Sequence, residues 1–221
     1  MKICVVIPVN NEALTIGRVV KALKEKGVFV LVIDDGSTDG SGGIAKKQGA
    51  VVIRKEQRNG KGFSLREGFK YALTEGFDGV ITMDGDGQHA AEDLDKFLEE
   101  AKKNPVSVVT GNRMAEHKGM PLVRYLTNRF MSGLISWACK QPVPDTQCGY
   151  RYISCEILKQ VELTSRDFEI ETEILIQASR RGYKVISVPV QTIYGREESK
   201  IRPVKDTIRF LNYFFKAIRA K

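Results

Sequence analysis

The sequence has no apolar run approaching the ~20 residues that cross a bilayer, so no spanning helix is expected. It has four cysteines, Cys4, Cys139, Cys148 and Cys155, none in a Cys-x-x-Cys pair, which argues against a zinc site. The start, Met1 to Pro8, carries one lysine, a short apolar stretch and no small-residue cleavage signal, so it reads as a first strand of a cytoplasmic protein. Reduced thiols rather than disulfides follow from that compartment. No Gly-x-Gly-x-x-Gly follows the first strand. Gly60-Lys61-Gly62 lacks both the leading glycine and the following Ser/Thr of a P-loop. A dinucleotide-dependent dehydrogenase and a P-loop NTPase are both disfavoured. Internal repeats and low-complexity tracts are missing too, as is the basic-aromatic stripe of an RNA-binding module, so no nucleic-acid partner is expected.

What is present is ordinary globular composition: 221 residues, 42% hydrophobic and 28% charged, with a formal net charge of +8. The charge is uneven. From Arg196 to Lys221 eight Lys/Arg stand against three acidic residues. A basic tail by itself points to a polyanionic partner: nucleic acid, phosphate or an anionic membrane.

Short β-branched runs alternate with helical patterns. Strands are predicted at Ile3–Ile7, Phe29–Ile33, Ala50–Ile53, Gly79–Met83 and Val106–Thr110. A helix opening at Asn11-Glu12 carries Leu14, Val19, Val20 and Leu23 on one face and ends at Gly27; others fall near 61–75 and 91–103. Strands without polar alternation, separated by helices, predict a mostly parallel sheet covered on both faces, an α/β domain. After residue 115 come an amphipathic segment over 119–139, strands near 150–153 and 184–193, and helices near 168–181 and 204–219. The division expected is a catalytic domain over 1–203 and a basic amphipathic helix over 204–221.

In such sheets ligands bind beyond the carboxyl ends of the strands. Three polar clusters fall there: Pro8-Val9-Asn10-Asn11-Glu12, Asp34-Asp35-Gly36-Ser37 and Asp84-Gly85-Asp86. Asp84 and Asp86 are one residue apart, so their side chains can face the same way. Carboxylate oxygens suit Mg²⁺ or Mn²⁺ and leave room for phosphate oxygens. Asp-Gly is also a turn dipeptide, and Asp-x-Asp opens an EF-hand loop. The EF-hand fails here: the glycine position holds His89, the twelfth position holds Asp95, and a strand precedes the motif. Asp34-Asp35 before Gly-Ser is equally consistent with a helix-capping loop and with contact to a base or ribose.

Taken in order, Pro8–Glu12, Asp34–Asp39, Asn59-Gly60-Lys61-Gly62 and Asp84-Gly85-Asp86-Gly87-Gln88-His89 resemble the inverting family 2 glycosyltransferases of GT-A fold. Gly111-Asn112-Arg113, Asp145-Thr146-Gln147-Cys148-Gly149-Tyr150-Arg151 and Glu198-Ser199-Lys200-Ile201-Arg202 are similar to the polyprenyl-phosphate branch, which includes dolichyl-phosphate mannose and glucose synthases. Many members of that branch carry membrane-spanning helices after the catalytic domain, and this sequence has none.

The resemblance implies roles. Pro8, Asn10, Glu12, Asp35, Lys61, Asp84, Gly85, Lys200 and Arg202 would bind the nucleotide-sugar. Asp84, Asp86 and Gln88 would hold Mg²⁺ or Mn²⁺. Arg113, Arg124 and Arg129 would meet an acceptor phosphate, although the latter two also read as surface charges. The donor would be a UDP- or GDP-hexose and the acceptor a polyprenyl phosphate. A phosphate acceptor is ionised near neutral pH, its second pKa being about 6, and needs no strong base. A hydroxyl acceptor would need one, and Asp145 is placed for it by motif position. A sugar nucleotidyltransferase is disfavoured because its glycine-rich basic signature is replaced by Pro-Val-Asn-Asn-Glu.

The 204–219 segment sets Val204, Ile208, Leu211, Phe215 and Ile218 on one arc, widened by Phe210 and Phe214, with Lys205, Arg209, Lys216 and Arg219 on another. That pattern fits peripheral membrane contact and fits a terminal helix docked on its own domain equally well. Tyr125–Trp137 has similar character.

Overall fold

The computed structural model describes residues 1–116, 120, 122–193, 210, 213–215, 217 and 218. Seven strands form one sheet: β1 (Ile3–Val9), β2 (Phe29–Asp34), β3 (Val51–Arg54), β4 (Gly79–Thr82), β5 (Ser107–Asn112), β6 (Arg151–Ser154) and β7 (Lys184–Pro189), in the order β3-β2-β1-β4-β6-β5-β7. All pairings are parallel except those of β6, which runs antiparallel between β4 and β5. The period of two along each strand divides the core in two. On one face Cys4, Val6, Leu31, Ile33, Val80, Val108 and Ile153 pack under α3 (Lys61–Thr74), α5 (Leu122–Cys139), α6 (Cys155–Gln160) and α7 (Glu169–Arg180). On the other, Val5, Ile7, Val30, Val32, Ile81 and Val109 pack under α1 (Ile16–Glu25), α2 (Ser41–Lys47) and α4 (Leu94–Lys103).

Several boundaries differ from the sequence reading. Helix α1 begins at Ile16, and Leu14 is 96% exposed, so Ile16 and not Leu14 completes the buried face with Val19, Val20 and Leu23. The reason is local. The amides of Asn11, Glu12 and Ala13 donate to Ser37 Oγ, Ser41 Oγ and Asp39 Oδ2, which holds this stretch outside the helix. The helices α2 and α6 were not foreseen; both are short, and α2 contains two glycines. The strand expected over 184–193 ends at Pro189, and Thr192 beyond it bridges to His89.

Most of the 204–219 segment lies outside the described residues. Of those described there, Phe210, Phe214 and Ala217 are buried in the core shared with α5 and α7, and the Ala217 carbonyl accepts from Arg180. At Phe210 and Phe214 the apolar stripe is docked on the domain. Phe215 is exposed.

Candidate active site

The strand order reverses between β1 and β4, and beyond the carboxyl ends of strands at such a reversal is where open α/β sheets bind their ligands. The Pro8–Glu12 and Asp84–Gly87 loops leave the sheet side by side at that point. Thr15 Oγ1 ties them by donating to the Gly85 carbonyl at 2.7 Å.

Lys61 is the hub. Its Nζ lies 2.6 Å from Asp84 Oδ1 and 2.6 Å from Glu171 Oε1. Burial works against its charge, but Asp84 first and Glu171 second outweigh it, so its pKa rises above the usual lysine value. Burial likewise disfavours the Asp84 carboxylate, yet the Lys61 charge, with help from His89, holds it well below the usual range. His89 Nε2 stands 3.3 Å from Asp84 Oδ2. Lys61 and His89 together therefore favour the ionised form of Asp84.

Gly149 makes this approach feasible. A Cβ there would sit 2.5 Å from Asp84 Oδ2 and 3.1 Å from Lys61 Nζ. Gly60, at φ +103°, starts α3 where a Cβ would meet the Arg166 carbonyl and the Asp167 carboxylate, each at 2.6 Å.

Behind Lys61, Glu171 also approaches the buried Arg151 at 3.7 Å. Arg151 is fully engaged, donating to the carbonyls of Cys148, Thr146 and Glu171. Glu171 was not anticipated. A signal existed: it shares the apolar face of α7 with Ile174, Leu175 and Ala178 at helical spacing, and a carboxylate on a buried face demands a partner.

The other expected residues distribute as follows. Asp86 is half-buried and accepts from the Gln88 amide at 3.0 Å, so Asp84, Gly85, Asp86 and Gln88 sit together. Pro8 and Glu12 are half-buried on the adjoining loop, and Asn10 donates to the Asp35 carbonyl at 2.8 Å. The Asp35 carboxylate accepts from the amides of Asn59 and Gly60 at 2.9 and 2.8 Å, fixing the loop that delivers Lys61. Arg113 and Asp145 form a buried bidentate pair, Nε to Oδ2 at 2.8 Å and Nη2 to Oδ1 at 3.0 Å. Burial opposes the Asp145 charge, but Arg113 outweighs it and lowers the pKa. With both oxygens bound and no exposed surface, Asp145 is held as the partner of Arg113 and not as a free base. Arg124 is half-buried and Arg129 exposed, both on α5. Lys200 and Arg202 lie outside the described residues.

The donor set suits a hard divalent ion. Two carboxylates at a strand end leave most positions for phosphate and water oxygens, as Mg²⁺ sites commonly do. Among the described residues no cluster of three or more His, Cys, Asp or Glu forms a complete protein cage. A cation on Asp84 Oδ1 would compete with Lys61 for that oxygen. A cavity of about 500 Å³ lies at the opposite end of the sheet, lined by Phe77, Tyr152 and Cys155 among others, and none of the expected site residues reaches it.

A helix-flanked, mostly parallel sheet with paired carboxylates at its switch point is the arrangement of a GT-A glycosyltransferase. The chain belongs to glycosyl transferase family 2, whose sequence profile matches residues 4–162. It is 30% identical over 215 residues to the UDP-N-acetylglucosamine–dolichyl-phosphate N-acetylglucosaminyltransferase of Methanococcus voltae, covering 87% of this chain and 86% of that one. It is 30% identical over 223 residues to the undecaprenyl-phosphate mannosyltransferase of Micrococcus luteus, covering 91% and 88%. Among solved structures, glucosyl-3-phosphoglycerate synthase of Mycobacterium tuberculosis, in complex with Mn²⁺, UDP and glucosyl-3-phosphoglycerate, superposes with a TM-score of 0.70 at 20% identity, covering 99% and 79%.

Proposed function

We propose that this glycosyltransferase moves a hexose from a UDP- or GDP-sugar to a polyprenyl phosphate, with inversion at the anomeric carbon and with Mg²⁺ or Mn²⁺ bound at Asp84 and Asp86. The observation that carries the reading is the carboxylate pair at the β1/β4 switch point with Lys61 against it. Two relatives named for polyprenyl-phosphate acceptors support the acceptor class, one a mannosyltransferase and one an N-acetylglucosaminyltransferase.

Asp84 and Asp86 would hold the ion on the donor diphosphate, with Gln88 on the same loop. The ion supplies neutralisation of the charge that builds on the leaving group. Lys61, held between Asp84 and Glu171, would add its charge toward the same diphosphate. The Pro8–Glu12 loop and the Asp35-fixed loop bound the site on the nucleoside side. An oxygen of the acceptor phosphate attacks the anomeric carbon as the bond to the diphosphate oxygen breaks, so the nucleoside diphosphate leaves and the configuration inverts. That nucleophile is already an anion and needs no base. The lack of a free base at Asp145 agrees with it. In this reading Arg124 and Arg129 are on the acceptor side, and Lys200 and Arg202 add charge to the donor phosphates.

The test is a screen of UDP- and GDP-sugars with Mn²⁺, run with and without a short-chain polyprenyl phosphate. Wild type should release nucleoside diphosphate only when the lipid phosphate is present. Asp86→Ala should lower kcat by about 10²–10³, the scale for one positioned electrostatic group, and abolish metal-dependent nucleotide binding in calorimetry. Transfer to a soluble hydroxyl acceptor with none to the lipid phosphate would overturn the acceptor assignment. Unchanged metal dependence in Asp86→Ala would overturn the site.

A further inference from the structure

Helix α5 carries an apolar face that is left uncovered among the described residues. Leu122, Val123, Leu126, Phe130 and Trp137 are 70%, 78%, 56%, 64% and 68% exposed. At about 100° per residue these five fall within an arc of about 100°. The opposite face is seated in the domain through Asn128, Met131, Ser132, Ile135 and Cys139. The helix therefore cannot roll to bury its outer arc. Single exposed apolar residues are common on proteins, but five large ones in one continuous stripe mark a contact surface.

The charges around the stripe select its partner. From Leu122 to Lys140 there are three basic residues, Arg124, Arg129 and Lys140, and no Asp or Glu. Arg129 is exposed at the edge of the stripe, and Lys140 is exposed just past the end of the helix. The whole chain is +8. A second copy of the chain fits poorly. Arg129 lies near the middle of α5, and antiparallel two-fold packing through this face would bring it against its own symmetry mate. An anionic lipid surface meets both features, taking the apolar stripe into the acyl boundary and the cations at the headgroups.

We infer that α5 is a membrane-docking helix that lies in the plane of an anionic bilayer by its Leu122–Trp137 stripe. The choice of lipid as occupant rests on the lipid-phosphate reading above; the surface itself does not. The docking surface and the site are mechanically joined. Ser132 Oγ and Ser136 Oγ accept from the amides of Thr146 and Val143 at 3.0 and 2.9 Å. The loop so anchored carries Asp145, the partner of Arg113, and then Gly149, against Asp84. A bilayer under α5 would present lipid headgroups one loop away from the strand-end carboxylates.

Trp137 is the only tryptophan in the sequence and sits on the stripe, so it reports docking directly. With phosphatidylglycerol vesicles at low salt its emission should shift to the blue and be quenched by lipids brominated high on the acyl chain. Phosphatidylcholine vesicles should give a weaker response. The double variant L126E/F130E should bind phosphatidylglycerol vesicles at least about tenfold more weakly, since it places two anions in the apolar boundary. Both positions are exposed, so its thermal unfolding should match wild type. R129Q/K140Q should retain the blue shift at high lipid and lose most of its salt dependence. The idea falls if Trp137 emission is unchanged by phosphatidylglycerol vesicles. It also falls if wild type sediments as a dimer that L126E/F130E dissociates, because the occupant is then a second copy. Transfer to a short-chain polyprenyl phosphate in vesicle-free buffer separates the two claims. Docking without any transfer to lipid phosphate refutes the proposed function and keeps the docking helix. Equal transfer by wild type and L126E/F130E, with no docking by either, refutes the helix and keeps the function.

Discussion

Asp145 and Arg113 enclose each other so completely that neither is available as an ordinary surface charge. Removing one partner of a buried pair leaves the other uncompensated, which typically destabilises by about 3–5 kcal/mol. Asp145→Asn should show that loss in urea unfolding while binding nucleotide at low denaturant. The folded-state pKa of Asp145 is depressed, so its contribution is complete above the unfolded carboxylate value of about 4 and disappears as pH falls through the lower folded value. Wild-type stability at neutral pH should therefore be insensitive to this group. The excess stability over Asp145→Asn should narrow only in acid, as pH-dependent melts of the two proteins would reveal. At Gly149 the constraint is space. Gly149→Ala would push a methyl into the Asp84 carboxylate 2.5 Å away, so metal-dependent nucleotide affinity should fall by about tenfold or more. An alanine variant with wild-type affinity in calorimetry would mean that this loop yields. These residues were legible to different degrees. Asp84 and Asp86 announce themselves as a strand-end pair, whereas Glu171 lies 110 residues from the lysine it binds, beyond the reach of any local pattern.

Among the elements, strands were easier to read than helix ends. Uninterrupted runs such as Val5-Val6-Ile7 and Val30-Leu31-Val32-Ile33 are buried on both faces, as strands inside a covered parallel sheet are. The start of α1 was misplaced because the amides of residues 11–13 are satisfied by Ser37, Asp39 and Ser41, some 26 to 29 residues on. Helix α7 meets α3 across the site through Glu171 and Lys61. Glu171→Gln removes one of the two carboxylates that share Lys61, leaving Asp84 as its sole anion. Metal at Asp84 would then compete with a more tightly held ammonium. Mn²⁺ affinity in the presence of UDP or GDP should fall by about tenfold, equivalent to about 1.4 kcal/mol, with little change in melting temperature. Equal Mn²⁺ affinity in the variant and wild type would show that Lys61 does not contest the site.

Over the whole molecule, the sheet separates two cores, and Phe210, Phe214 and Ala217 near the C-terminus belong to one of them. Phe214 is 4% exposed within the core shared by α5 and α7. Phe214→Ala should reduce global stability by about 3–5 kcal/mol, the usual range for truncating a buried phenylalanine; a change below about 1 kcal/mol would place that residue outside the cooperative core. The four cysteines are likewise interior and unpaired. Burial is the largest influence on each, and it pushes Cys4 and Cys148 up to about 12. Native protein should leave a thiol reagent unreacted at mildly alkaline pH and yield four thiols on unfolding.

The sequence by itself determined the alternation of strands and helices, the carboxylate clusters at the strand ends and the family whose motifs those clusters build. Each is written in contiguous residues, where periodicity and spacing act within one element. Only the tertiary structure decided that β6 enters the sheet against the direction of its neighbours, that Lys61 stands between Asp84 and Glu171, that Asp145 is closed off by Arg113, and that α5 keeps an apolar stripe facing outward. Those outcomes depend on which distant segments share a desolvated space. A buried charge takes the partner that packing brings within reach, and a helix shows outward whatever its inner face leaves unburied.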